Sequence, residues 1–167
     1  MPYTIRPERD EDSGAIRRVT EAAFAQAEHS SGTEGAIVDA LRAAGALSVS
    51  LVARVEGEVV GHVAFSPVTL DGVDIGWYGL GPVSVRPDLH GQGIGAALIR
   101  AGLAHLQGLG AKGCVVLGDS AYYPRFGFRQ DPAIRYAGVP PEYFMALSLD
   151  GSQAAGEVAY HSGFSAT

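Results

Sequence analysis

The 167-residue sequence contains one cysteine, Cys114. A single cysteine closes no internal disulfide and supplies no metal-ligand spacing, so no metal is expected. Cys114 sits in the apolar run Cys114–Leu117 and reads as a small buried hydrophobe, with a histidine-assisted nucleophile as the competing reading. No apolar run approaches the ~20 residues of a membrane span. The opening stretch, MPYTIRPERDED, is charged and lacks the apolar core of a signal peptide. A cytoplasmic location without a membrane partner is expected. Basic residues are outnumbered, 12 Lys and Arg against 18 Asp and Glu, for a formal net charge of −6. That balance argues against a nucleic-acid surface and fits a cationic or neutral acceptor somewhat better. Repeats, low-complexity tracts and linkers are also missing. With 47% hydrophobic and 18% charged residues, residues 1–167 read as one globular domain.

What is present is a regular alternation of patterns. Residues 3–7 read as a short strand. Residues 10–28 carry Ile16, Val19, Ala23 and Phe24 at helical spacing. Ser31-Gly-Thr-Glu34 fits a capping box ahead of a second helix with Ile37, Val38 and Leu41 on one face, ended by Gly45. Residues 48–55, 59–70 and 75–85 then read as three strands, joined by a turn at Glu56-Gly57-Glu58 and a hairpin at Asp71-Gly72. Together they predict an antiparallel meander. A further helix carries Gly95, Leu98, Ile99, Gly102, Leu103, Leu106 and Leu109 on one face and ends at Gly110. A short strand at Cys114–Leu117, a helical turn at Tyr122–Phe126, a Pro/Gly-rich loop at 132–141 and strands near 144–149 and 157–160 complete the chain.

Between the meander and the third helix lies His90-Gly91-Gln92-Gly93-Ile94-Gly95-Ala96. A glycine-rich turn from strand to helix leaves backbone N–H groups converging at the positive end of the helix dipole, and it lets a ligand approach the backbone. The physical reading is a phosphate cradle. Gly91-x-Gly93-x-x-Ala96, with Asp119 about twenty residues on, also satisfies a dinucleotide fingerprint. Context opposes a dinucleotide oxidoreductase: such folds place this turn after their first strand, whereas three antiparallel strands precede it here. A Walker loop is excluded because no Gly-Lys-Ser/Thr follows.

The order of elements over essentially the whole chain resembles the GNAT superfamily of N-acyltransferases. GPVSVRPDLHGQGIGAAL (Gly81–Leu98) is similar to that family's acetyl-CoA motif. VLGDSAYYPRFGF (Val116–Phe128) is similar to its strand-then-short-helix motif, in which a tyrosine precedes Gly-Phe. Tyr143-Phe-Met and Tyr160-His-Ser-Gly-Phe164 resemble a bacterial subgroup of N-acetyltransferases. His90 departs from the Arg or Gln usual at the head of the loop. The resemblance implies an α/β (α+β) fold, a mixed, mostly antiparallel twisted sheet of about six to eight strands flanked by about four helices. It implies acetyl-CoA as co-substrate, with the stretch from His90 through Gly91, Gln92, Gly93, Ile94, Gly95 and Ala96 at its pyrophosphate. The pantetheine arm would pair with Val83-Ser84-Val85, and the Val85 N–H would polarise the carbonyl. Tyr123 would protonate the leaving thiolate, with Tyr122 as the neighbouring alternative. Arg125 reads equally as a partner of the 3′-phosphate or as a solvated side chain. The strand 75–85 has no carboxylate for a general base; Glu34, His62 and Asp119 are the candidates, with a hydrogen-bonded core histidine the plainer reading of His62. The acceptor would enter between Ala25–Glu34 and Arg129–Tyr143. The implied reaction moves an acetyl group from acetyl-CoA directly to a primary amine of a small molecule, peptide or protein, in a monomer or homodimer. A non-catalytic acyl-CoA-binding regulator is the other reading on the same fold.

Overall fold

The computed structural model describes residues 2–25 and 32–167. Its sheet is set by two tight turns. Glu56-Gly57 and Asp71-Gly72 hold positive φ at both central residues, the backbone twist that joins neighbouring antiparallel strands. The first turn links β2 (Val49–Val55) to β3 (Glu58–Leu70). The second closes the far end of β3, where Leu70 bridges Val73. β4 (Trp77–Val85) returns along β3, placing Ser84 opposite His62 and Tyr78 opposite Pro67. The expected meander is therefore present. β1 (Thr4–Pro7) lines the outer edge of β2.

α1 (Ser13–Phe24) and α2 (Glu34–Ala43) cross from β1 to β2, and α3 (Ile94–Gly108) crosses from β4 to β5 (Gly113–Leu117). β5 is parallel to β4, as its helical crossover requires. β7 (Phe144–Ser148) pairs antiparallel with β5. β8 (Gly156–Tyr160) pairs with the outer end of β3 and with β6 (Ile134–Arg135). The result is an eight-stranded sheet with the order β1-β2-β3-β4-β5-β7, β6 and β8 attached beyond β3. Among the described residues it carries three α-helices and five short 3-10 segments.

Two expectations meet a different outcome, and a third falls outside the described residues. The first helix starts at Ser13 because Asp10–Asp12 form a separate 3-10 turn, and residues 26–28 of the expected span lie outside the described residues. The capping box rests on Ser31, which also lies outside them. Leu109, assigned to the buried face of α3, is 59% exposed. The helix has ended there: Ala111 N–H bonds back to Leu106 O and Gly110 N–H to Gln107 O, a Schellman closure that turns Leu109 outward.

α3 covers one face of the sheet, burying Leu98, Ile99, Leu103 and Leu106 against Leu51, Val63, Phe65, Leu80 and Val116. α1 and α2 cover part of the other face through Ile16 and Val38 on Val52. Beside them Val68, Trp77, Val115, Phe144 and Val158 form a separate apolar cluster. Helix and sheet approach closely at Gly102, where a Cβ would stand 2.1 Å from Phe65 Cε1 and 2.7 Å from Cζ. Gly102→Ala would gain about 1 kcal/mol of helix propensity, but the overlap costs about 1–3 kcal/mol. Net destabilisation is expected in urea unfolding. Phe65→Leu in the same chain should return part of the loss, whereas strictly additive effects would show that the two positions do not press on one another.

Candidate active site

β4 and β5 lie side by side from Trp77 opposite Gly113 to Leu80 opposite Val116. Beyond that pair β4 continues to Val85 beside β3 alone, and β5 continues beside β7 alone. Gly81 takes φ 136° and Pro82 brings no N–H, so β4 shifts register against β3 between Val63 and Phe65. Arg86 N–H donates to Val60 O at 2.7 Å. By strand alternation, the main-chain groups of Val83 and Val85 point the other way, into the gap that β5 has left. One of them is met within the chain: His90 Nε2 donates to Val85 O at 2.7 Å.

After Val85 a 3-10 turn at Pro87–Leu89 seats the buried Leu89. Gly91 and Gly93 follow with φ of 80° and 83°. A Cβ on either would meet nothing within 4 Å. The glycines are therefore required by the left-handed backbone rather than by crowding, and the space beside them is open. Gly93 caps α3, and its carbonyl accepts from Ala97 N–H at 3.0 Å. The N–H groups of Ile94, Gly95 and Ala96, in the first turn, have no carbonyl before them to bond.

These elements enclose a cavity of about 540 Å³ between the end of α1, the open stretch of β4 and the glycine loop. Val83, Val85, His90, Gly91, Gly93, Ile94, Gly95 and Ala96 all line it, with Ala23, Phe24, Leu89, Tyr122 and Arg125. Gln92 does not; it is exposed outside the loop. Tyr123 is also absent from the wall. Its ring packs over Gly118, where a Cβ would lie 2.5 Å from Tyr123 Cε2, and edge-on to Tyr122 and Phe128. Burial, then Tyr122 and Asp119, push its phenol up to about 12. The neighbouring Tyr122 turns to the cavity, its hydroxyl 4.0 Å from where a Gly95 Cβ would stand. The Arg125 guanidinium lies 4.3 Å over the Tyr122 ring.

The base candidates stand elsewhere. Glu34 opens α2. Asp119 Oδ1 accepts the Ala121 N–H at 2.7 Å and shapes the turn after β5. His62 is fully buried under α1 and α2, bonded to Ser50. Cys114 is fully buried, and burial pushes its thiol up. The loop 129–143 roofs a second cavity of about 540 Å³, lined by Tyr136, Phe144, Asp131 and Glu157 among others. Tyr136 stacks on Phe144 and meets Tyr160 edge-on. The other expected acceptor segment, Ala25–Glu34, has residues 26–31 outside the described part. That Ala23 and Phe24 line the cavity was not visible in the sequence, because the apolar face of α1 looks the same over core and over cavity. Among the described residues, no group of three or more His, Cys, Asp or Glu could hold a metal ion. No helix among them is long and apolar enough to cross a membrane.

The family profile described as Acetyltransferase (GNAT) domain matches residues 46–130. The chain is 38% identical over 141 residues to the Escherichia coli K12 protein named Uncharacterized N-acetyltransferase YhbS, covering 80% of this chain and 84% of that one. A GNAT family acetyltransferase from Brucella melitensis, solved in complex with acetyl-CoA, superposes with a TM-score of 0.88 at 53% identity over 98% of both chains. The E. coli YhbS structure, solved in complex with CoA, superposes with a TM-score of 0.87 at 34% identity over 98% of this chain and 92% of that one. Motif order, sheet topology and these likenesses agree: the chain belongs to the GNAT family of N-acetyltransferases.

Proposed function

We propose that this protein moves the acetyl group of acetyl-CoA directly to a primary amine of a small molecule, peptide or protein, and that residues 1–167 act as one such domain. The observation that carries the reading is the meeting, in one cavity, of unpaired helix-terminal amides with the open edge of β4. The amides of Gly91–Ala96 suit a pyrophosphate, because they converge at the positive end of α3 and the glycines leave the approach clear. The free groups of Val83 and Val85 suit the amides of a pantetheine arm, which would pair there as an added strand. The Val85 N–H, its own carbonyl already held by His90, is the proposed donor to the thioester carbonyl. Tyr123 is the proposed donor to the leaving sulfur. With a phenol at about 12 it stays protonated at neutral pH, as a donor to a developing thiolate must. On the acceptor side, Tyr136, Tyr160 and Phe144 place ring faces and edges under the loop 129–143, a surface suited to an ammonium group.

A CoA-release screen over amines, polyamines, amino acids and peptide N-termini or lysines tests the reaction. Acetyl-CoA and CoA should raise the melting temperature; stabilisation by NADH without stabilisation by CoA would overturn the reading. Tyr123→Phe is expected to lower kcat at least about tenfold with CoA affinity near normal. Tyr122→Phe should instead weaken CoA binding, and the reverse pattern would move the proton donor to Tyr122. Because the acid works in its protonated form, loss of kcat assigned to Tyr123 should begin only as pH rises toward about 12. An alkaline limb centred near 10 would mark an unburied phenol. Gly93→Asp sets a carboxylate in the anion site and strains the left-handed backbone by about 1–2 kcal/mol. CoA binding measured by calorimetry should be lost.

A further inference from the structure

One side chain already stands on the open edge of β4. His90 Nε2 donates to Val85 O at 2.7 Å, and both residues line the cavity between α1, β4 and the glycine loop. A carbonyl only accepts, so Nε2 carries the hydrogen of that bond. The outward carbonyl of a strand residue points to where a neighbouring strand would run, about 4.8 Å away. A ring whose nitrogen lies 2.7 Å from Val85 O therefore fills the place of that neighbour. β5 does not fill it, because its pairing with β4 ends at Leu80 opposite Val116. At Val85 the imidazole is the strand's partner.

The ring is lightly held. His90 is exposed, and among the described residues its side chain makes this one hydrogen bond. Asp88, two residues earlier, is engaged by Arg86 at 2.7 Å. His90 also heads the glycine loop: Gly91 and Gly93 follow in the left-handed region and lead into the first turn of α3. A hydrogen bond to an anionic oxygen is roughly twice as strong as one to a neutral carbonyl. A phosphate oxygen seated on the loop is thus a better acceptor for the Nε2–H than Val85 O.

We propose that His90 is a latch on the edge of β4: a pyrophosphate on the glycine loop draws the imidazole off Val85 O and so opens that edge to the pantetheine arm. The latch rests on the acetyl-CoA reaction proposed above. An arm that brings its thioester carbonyl to the Val85 N–H lies against Val85 itself, in the space the ring fills at rest. Once the ring has moved, Val85 O accepts an amide N–H of the arm, so the carbonyl has a partner in both states. The nucleotide half of the cofactor engages first and the arm second. When CoA leaves, the ring returns and covers an edge that would otherwise present bare strand groups. The two halves of one ligand are therefore coupled through a single side chain.

Two probes separate the halves. ADP carries the pyrophosphate, and S-acetyl-N-acetylcysteamine carries the last amide and the thioester of the arm. In the wild-type chain, saturating ADP should tighten binding of the thioester probe at least about fivefold by NMR titration, and the probe should tighten ADP by the same factor. In His90→Ala the edge is open from the start. The probe should bind that variant, without ADP, at least about fivefold more tightly than it binds wild type, and ADP should add nothing. His90→Asn, a shorter polar side chain, should behave alike, which covers an alanine variant with a disturbed loop. In nitrogen-15 spectra the His90 ring, identified by its loss in His90→Ala, should shift with ADP alone. Coupling that is absent in wild type, or that persists undiminished in both variants, overturns the latch and leaves the CoA site standing. A wild-type chain that binds neither CoA nor ADP overturns the proposed reaction and the latch together.

Discussion

β4 and β5 stay paired for four residues and then separate, because a register shift and a proline end the regular edge of β4 just past Leu80. Every feature of the site depends on that separation. Parallel neighbours need a crossover, and the crossover here is α3. A crossover helix begins where the first strand ends, so the amides of its first turn stand at the carboxyl end of β4. The separation also strips β4 of its partner over Val83–Val85. Backbone groups in a recess need hydrogen bonds from somewhere. His90 meets one of them, and an amide-bearing arm laid along the strand could meet others.

Much of this was legible in the sequence because its signals are local. Asp71-Gly72, Gly110 and the glycine loop each fix the chain within a few residues, and the 3.6-residue spacing of Leu98, Ile99, Leu103 and Leu106 fixes the buried face of α3. What was not legible depends on distant pairing. β6 is two residues long and exists because β8 lies beside it. Tyr122 and Tyr123 are adjacent, and which of them turns to the cavity is decided by the close seat that Gly118 gives Tyr123. His62 shows only as a polar residue in an apolar strand. Its meaning comes from Ser50 on the next strand and Glu8 beyond β1, and no spacing rule links those three.

An acidic protein that binds a polyphosphate presents a contradiction of charge, and local pairing resolves it. The net charge is −6, but screening confines a surface charge to about 8–10 Å in physiological salt. Several of the acids are already paired: Glu8 with Arg42, Asp12 with Arg6, Asp39 with Arg17 and Arg42. Asp88, nearest the loop, is paired with Arg86 at 2.7 Å. Among the described residues lining the cavity there is no carboxylate, while Arg125 is present. The local field is therefore set by the helix terminus, worth about half a positive charge within the first turn.

Strand alternation also divides the side chains of β4 between the two faces of the sheet. Alternation sends Val83 and Val85 to the α3 side, where they join the apolar cluster that also holds Tyr122 and Tyr123, and sends Ser84 to the α1 side, toward Thr20 and His62. Tyr123 and His62 thus stand on opposite faces of the sheet, and burial drives them apart in acidity. It lifts the Tyr123 phenol and lowers the His62 imidazole, so both rest uncharged at neutral pH. Neutral groups cost least to hold in a dry interior. The same burial acts on Cys114 in the opposite sense for chemistry. Its thiol is pushed up and kept away from the cavity wall, so little thiolate exists to attack a thioester. An acetyl-cysteine intermediate at that position is disfavoured, and direct attack by the amine is the route these environments support.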